Sequence, residues 1–346
     1  MSKVKISNME CPIPLDDYKC VMMAHGGGGR MMGRLIDEMF LAVFTDVQPR
    51  DSAILDIPQN KIAITTDSFV VRPLFFPGGD IGSLAVNGTV NDLAMCGARP
   101  QYLSVSFILE EGLAMETLWR VIQSMRTAAD AANVAIVTGD TKVVERGHGD
   151  GLYINTTGIG VLEHGHNIRP EQVTAGDMVI LSGDIGRHGI AVMAEREGLS
   201  LRSNIESDCA PLFAPVLALL DAGLVPHALR DATRGGVAAV LNEIATAAGL
   251  QINVSESTIH VEEGVRGVCE ILGFDPLHIA NEGCFIAFVA AEDHVLALDI
   301  LRKHNKRASL IGTVSEGKPG RVTIETSIGG VRILDMPAGE LLPRIC

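Results

Sequence analysis

At 346 residues, 47% of them apolar, the chain is long enough to bury two cores. Its formal net charge of -14, with no Lys/Arg-rich stretch and few aromatics, argues against nucleic acid, whose phosphates are bound through a basic footprint. No stretch approaches the roughly 20 apolar residues of a bilayer-spanning helix, and residues 1–17 lack the apolar centre of a secretory signal, so a soluble cytoplasmic protein is expected. Seven cysteines without a CxxC pair fit reduced thiols better than a disulfide framework or a structural zinc site.

In chain order, residues 1–23 read as an N-terminal extension. Residues 24–30, Ala-His-Gly-Gly-Gly-Gly-Arg, precede a helical pattern over 31–44. Consecutive glycines expose backbone N–H groups and a helix start adds favourable partial charge, so His25, Gly26, Gly27, Gly28, Gly29 and Arg30 are candidate polyphosphate contacts. The segment lacks the Lys-Ser/Thr of a P-loop, and a plain linker is the competing explanation.

Short β-branched runs predict strands over 61–66, 103–109, 134–138 and 153–160, with helical patterns over 81–96 and 115–133 between them. Turn residues over 168–177 predict a domain boundary, giving domains 24–168 and 169–330. Beyond it the pattern predicts strands over 178–182, 285–290 and 322–324 and helices over 189–198, 211–222, 236–248 and 293–304. Gly-Asp-Ile-Gly occurs at Gly79 and Gly183, each time ahead of a helix, a recurring start signal rather than a duplication.

Four aspartates fall at predicted strand or helix ends: Asp67, Asp92 (after Asn91), Asp140 (before Thr141) and Asp231. Carboxylates leaving strand ends can converge on Mg2+, which takes oxygen ligands and bridges to nucleotide phosphates, although each alone is explained as a turn or cap residue. Lys142, two residues beyond Asp140, shares a strand face with it and suits phosphate neutralisation or proton transfer, as well as a solvated surface position. Glu282 stands at the entrance of an apolar strand, a position for a base or a turn residue. The histidines show no metal-ligand spacing.

After Gly329-Gly330 the chain is expected to become a mobile tail, 331–346, ending in a thiol at Cys346. Fully extended, it reaches roughly 50 Å at about 3.3 Å per residue, enough to enter a cleft in its own domain or a partner's. Arg344 favours the thiolate and the terminal carboxylate opposes it.

Asn91-Asp92-Leu93-Ala94-Met95-Cys96-Gly97-Ala98-Arg99-Pro100 resembles the NDxxxxGAxP signature of the ATP-using superfamily that includes aminoimidazole ribonucleotide synthetase, selenophosphate synthetase and thiamine-monophosphate kinase. With Phe75-Phe76-Pro77-Gly78-Gly79, Thr138-Gly139-Asp140-Thr141-Lys142-Val143, Arg230-Asp231-Ala232-Thr233-Arg234-Gly235-Gly236 and the terminal Pro343-Arg344-Ile345-Cys346, the chain is similar to the carbamoyl dehydratases of nickel-iron hydrogenase maturation, over about residues 24–346.

The resemblance implies an α/β fold of the α+β type: two aminoimidazole ribonucleotide synthetase-like domains and a flexible C-terminal tail, usually as a homodimer through the N-terminal domains. It implies that Cys346 receives a carbamoyl group from a partner carbamoyltransferase, that ATP drives its dehydration to a thiocyanate, and that the nitrile passes to an iron-bearing scaffold complex. An amide oxygen leaves poorly and phosphate leaves well, which is why such a dehydration needs a phosphoryl donor; transfer is helped by positioning and charge neutralisation. By the same resemblance Asp67, Asp92 and Asp140 hold metal-nucleotide, Lys142 and Glu282 handle protons, and Asn91, Thr141, Asp231, Arg234, His25 and Arg30 lie at the nucleotide. Two other possibilities stand at this point: a small-molecule kinase or synthetase with no use for Cys346, and a nucleotide-sensing interaction protein whose tail docks partners.

Overall fold

The computed structural model describes residues 29–35, 53–57, 60–198, 205–337, 339, 342 and 344–346. A short helix α1 (Arg30–Leu35) opens it; residues 36–44 of the expected first helix lie outside the described residues, as do 1–23 and His25, Gly26, Gly27 and Gly28.

Strands β1 (Ala53–Ile57) and β2 (Asn60–Phe69) are followed by a two-residue ribbon, β3 (Phe75–Phe76) with β4 (Gly79–Asp80). Next come α2 (Ile81–Met95), β5 (Arg99–Glu110), α3 (Met115–Ala131), β6 (Ala135–Val144) and β7 (Leu152–Leu162). The resulting sheet has the order β1-β2-β7-β5-β6 and is antiparallel except for β5 with β6, which α3 joins as a crossover. Along β7 buried and half-buried residues alternate without a break, the pattern of a strand with one face on a core. Asp80 starts α2: its Oδ1 accepts from the N–H groups of Gly82 (2.7 Å) and Ser83 (3.1 Å), while Asp80 N–H donates to Ser83 Oγ, a capping box. Buried nearly all round, α2 lies between this sheet and the second half of the chain.

The second half runs β8 (Met178–Leu181), α4 (Arg187–Arg196), α5 (Phe213–Asp221), β9 (Ala228–Asp231), α6 (Gly236–Ala248), β10 (Gln251–Ser255), α7 (Glu263–Leu272), β11 (Phe285–Val289), α8 (His294–His304), β12 (Ser309–Ser315), β13 (Val322–Glu325) and β14 (Val331–Ile333). Its seven-stranded sheet has the order β14-β13-β10-β12-β8-β11-β9. All five residues of β11 are buried, because Ile286 and Phe288 enter the core under α6 while Phe285, Ala287 and Val289 enter the one under α5 and α8. Strand β11 therefore reads as an unbroken apolar run.

Two expectations change. Residues 331–333, read as the start of a free tail, form the edge strand β14 against β13, with Thr323 opposite Ile333 and Glu325 opposite Val331. The largest core then crosses from one half to the other, joining Phe69, Val71 and Val86 to Ile190, Val265 and Ile279, and it takes in Leu342 and Ile345 of the tail.

Candidate active site at the junction of the two halves

Asp67, near the end of β2, faces the α2 side of the first sheet with buried Thr65 and Phe69. Thr65 Oγ1 donates to Asp92 Oδ2 at 2.7 Å. Burial raises the Asp67 carboxyl above the usual carboxylate range, offset in part by Arg234 and by a hydrogen bond with Asp92. Arg234 leaves the turn between β9 and α6, where Gly235 and Gly236 take φ of +76° and +61° and main-chain carbonyls of Leu277 and Ile279 crowd Gly236. Its guanidinium is reinforced as a cation by the negative charge of Cys346 first, then by Asp67, Glu282 and Asp92, although burial opposes it.

Glu282 is 3% exposed. Burial, then Asp231, Asp208 and Asp67, push its carboxyl well above the ordinary glutamate value, and Arg234 only partly restores the charge. An acid so placed can hold a proton at neutral pH and exchange it with a bound substrate. Its position is set from the main chain: Glu282 N–H and Gly283 N–H donate to the two carboxylate oxygens of Asp208 at 3.2 and 3.0 Å. Asn91 Nδ2, from α2, donates to Glu282 O at 3.3 Å and Ala210 O at 3.1 Å, while its Oδ1 accepts from Leu212 N–H at 2.7 Å. A side chain at Gly283 would put its Cβ 1.8 Å from Asp208 O, so only glycine fits. Cys209 lies beside Glu282 and accepts from Asn87 Nδ2 at 3.5 Å; burial and the acids around it push its thiol far up, which leaves it un-ionised.

The tail expected to swing freely is seated in this junction. Val70 N–H donates to Cys346 O at 3.3 Å and Arg72 N–H to Arg344 O at 3.2 Å, so the last residues run antiparallel to 70–72. Ile345 is 3% exposed and Leu342 9%, the two apolar residues that anchor the segment; burying each contributes roughly 1.5–3 kcal/mol. Arg344 pairs with Asp150, which also holds Arg72 at 2.5 Å. Prolines and glycines suggested an untethered arm, whereas the spacing of Leu342 and Ile345 gives it a face to bury.

Asp231 closes β9 opposite Phe285, 6% exposed and against Glu282. Asp140 and Lys142 pair with each other at 2.9 Å, on one strand face as expected. Asp140 lies opposite Ser106 and Lys142 opposite Ile108, on the face of the first sheet turned away from α2, whereas Asp67 faces α2. The expected trio of Asp67, Asp92 and Asp140 is therefore not assembled within one chain, and no group of three or more potential metal ligands occurs among the described residues. Thr141 sits opposite Phe107 in β6. Gly29 abuts Pro337 O and Gly339 at the base of the tail, and Arg30 is exposed. Asp208, His188, Ser207, Arg196 and Asp150 carried no sequence signal beyond polarity.

The AIR synthase related protein models match the chain twice, the N-terminal domain over residues 49–162 and the C-terminal domain over 174–325. Carbamoyl dehydratase HypE of Azotobacter vinelandii is 48% identical over 331 residues, covering 94% of this chain and 97% of that protein. The chain belongs to the HypE carbamoyl dehydratase family. A HypE solved in complex with HypF superposes with a TM-score of 0.82 at 46% identity, covering 88% of this chain and 99% of that one. A HypE solved in complex with ATP gives 0.81 at 44% identity, covering 94% and 100%. HypE membership makes the chain an enzyme and removes the small-molecule kinase and the non-catalytic docking protein as descriptions of it.

Proposed function

We propose that this chain dehydrates a carbamoyl group carried on its own Cys346 to a thiocyanate, using ATP, and so supplies the cyanide ligands of nickel-iron hydrogenase. The observation that carries this is the seat of Cys346: Arg234, on which the charge of Cys346 acts more strongly than any other, is also held as a cation by Asp67, Glu282 and Asp92. Carrier residue, buried acid and cation are linked electrostatically in one junction.

The residues fit a magnesium nucleotide. Asp67 and Asp92 present hard oxygen donors beside Arg234, and Mg2+ takes one or two carboxylates and fills its remaining positions with phosphate and water. Bound MgATP would supply the phosphoryl group that turns the carbamoyl oxygen into a good leaving group. The chain's own residues do the rest: Arg234 neutralises negative charge as it builds and favours the ionised form of Glu282, in which Glu282 takes a proton from the carbamoyl nitrogen. The thioester-like S–C bond stays intact, two N–H bonds are lost, one proton to Glu282 and the other to the departing phosphate, and the C–N bond order rises to three as the oxygen leaves with that phosphate.

The carbamoyl donor in this scheme is a carbamoyltransferase, in keeping with the HypE that crystallised with HypF. The nitrile acceptor is an iron-bearing scaffold. We also place the working unit as a cytoplasmic homodimer through the face of the first sheet that turns from α2, where Tyr102 (49% exposed) and Ile108 (45%) stand with half-buried Ile62, Ile64, Ile159 and Val161. Lys142 and Asp140 lie on that same face and would serve the partner's site.

The test is to incubate the protein with carbamoyltransferase, carbamoyl phosphate and MgATP and weigh the C-terminal peptide. Loss of one water from the carbamoylated peptide, dependent on ATP, is expected. Carbamoylation without that loss would overturn the assignment.

A further inference from the structure

The body recognises the end of the tail through the tail's main chain. Arg196, at the end of α4, donates from Nη2 to Arg344 O at 2.6 Å and to Arg72 O at 2.6 Å, bridging the two antiparallel segments. His188, in the first turn of the same helix, has no exposed surface and makes two hydrogen bonds, Nδ1 with Ser207 Oγ at 2.8 Å and Nε2 with Ile345 O at 2.9 Å.

The direction of these bonds follows from chemistry. A carbonyl oxygen only accepts, so His188 Nε2 carries the hydrogen and donates to Ile345 O. Burial pushes the His188 imidazole down to about 4, so at neutral pH Nδ1 is bare and accepts from the Ser207 hydroxyl. Ser207 Oγ in turn accepts from Cys209 N–H at 3.0 Å. The relay Cys209 N–H to Ser207 to His188 to Ile345 O thus ties the loop beside Glu282 to the residue preceding Cys346. Phe76 packs edge-on against the imidazole, with ring centroids 5.4 Å apart, and holds its plane.

We propose that His188, oriented by Ser207, and Arg196 are positioning residues that grip the Ile345 and Arg344 carbonyls and thereby hold Cys346 at Arg234 and Glu282 for dehydration. The assignment of a role in dehydration rests on Cys346 being the carrier; the grip itself does not. Side chains of the tail contribute depth through Leu342 and Ile345, while the register of the last residues is read from carbonyl oxygens.

Two measurements on the full-length protein test it. The first is hydrogen exchange of the Val70 and Arg72 amides, which donate to the seated tail, followed by mass spectrometry without ATP or partner. His188→Leu and Arg196→Ala should each speed that exchange about tenfold, the loss of roughly one strong hydrogen bond, while His188→Gln, which keeps a donor in place of Nε2, should stay near wild type. Arg196 lies at the surface end of α4, so its variant keeps the core. Wild-type exchange in both His188→Leu and Arg196→Ala, or His188→Gln as loose as His188→Leu, would overturn the grip. The second is the single-turnover rate of water loss from carbamoylated protein beside the affinity for MgATP. A slower rate at unchanged affinity in His188→Leu, restored in His188→Gln, is expected. Faster exchange with an unaltered rate removes the positioning role and leaves the carrier chemistry standing; absence of water loss in the wild type removes the carrier chemistry and leaves the grip.

Discussion

Asn91 of α2 holds the main-chain oxygen of Glu282 across the junction between the two halves of the chain, with an Nδ2 to O distance of 3.3 Å. Both amide hydrogens and the carbonyl of Asn91 are engaged inside the protein, so the helix that backs the first sheet fixes where the buried acid of the second stands. Asn91→Ala strands three partners away from water, at a cost of about 2–4 kcal/mol. Thermal denaturation should show a lowered melting temperature, and water loss from the carbamoylated tail should slow with it.

Glu282→Gln is expected to abolish dehydration while the protein unfolds less readily above neutral pH. A carboxyl whose folded value is raised contributes stability below its unfolded value near 4.5, and that contribution is lost as pH rises through the folded value. Burial, then Asp231, Asp208 and Asp67, make the ionised form costly, and a neutral amide of the same shape avoids it. Urea unfolding at pH 8 checks the sign: a variant less stable than wild type would contradict the raised acid.

His188 has the opposite sense. Its folded value of about 4 lies below the ordinary 6.5, so the unfolded chain takes up a proton first as pH falls, and stability is lost between about 6.5 and 4. That gap corresponds to about 3 kcal/mol. His188→Gln should flatten the stability profile within that window and leave it unchanged above pH 7, as followed by denaturant titration at successive pH values.

Lys142 and Glu282 lie on structures facing different ways, so a homodimer that shares sites across its first sheets gives a definite mixing result. Lys142→Ala and Glu282→Gln proteins, each inactive alone, should regain part of the wild-type dehydration when co-expressed, because one mixed site contains both wild-type residues. Mixed dimers that stay inactive would confine both residues to one chain.

Much of the frame was legible because local chemistry and tertiary structure agree. Asp80 and Ser83 announce the start of α2, and the alternation of β7 declares a one-sided sheet. Glu282 is visible as a carboxylate at a strand entrance, but its raised pKa comes from burial and then from Asp231, Asp208 and Asp67, which are distant in sequence. Asn91 sits in a motif read as nucleotide-facing, yet its amide is taken up by Glu282, Ala210 and Leu212, contacts that no periodicity foretells. Asp140 matched Asp67 in its strand-end setting, and only the sheet register separates their faces. The breakers of the tail point to a free arm, whereas Val331 and Ile333 alternate as a strand does and Leu342 and Ile345 provide buried anchors.

The last residues lie in a seat lined by main chain, with Cys346 O against the Val70 amide and Ile345 O against His188. Affinity tags and reporter fusions appended after Cys346 would have to be led out past Val70 and Arg72 or pull the last residues from that seat. Purification handles belong at the opposite terminus, and a protein produced with a C-terminal handle would be expected to report an empty seat rather than the native one.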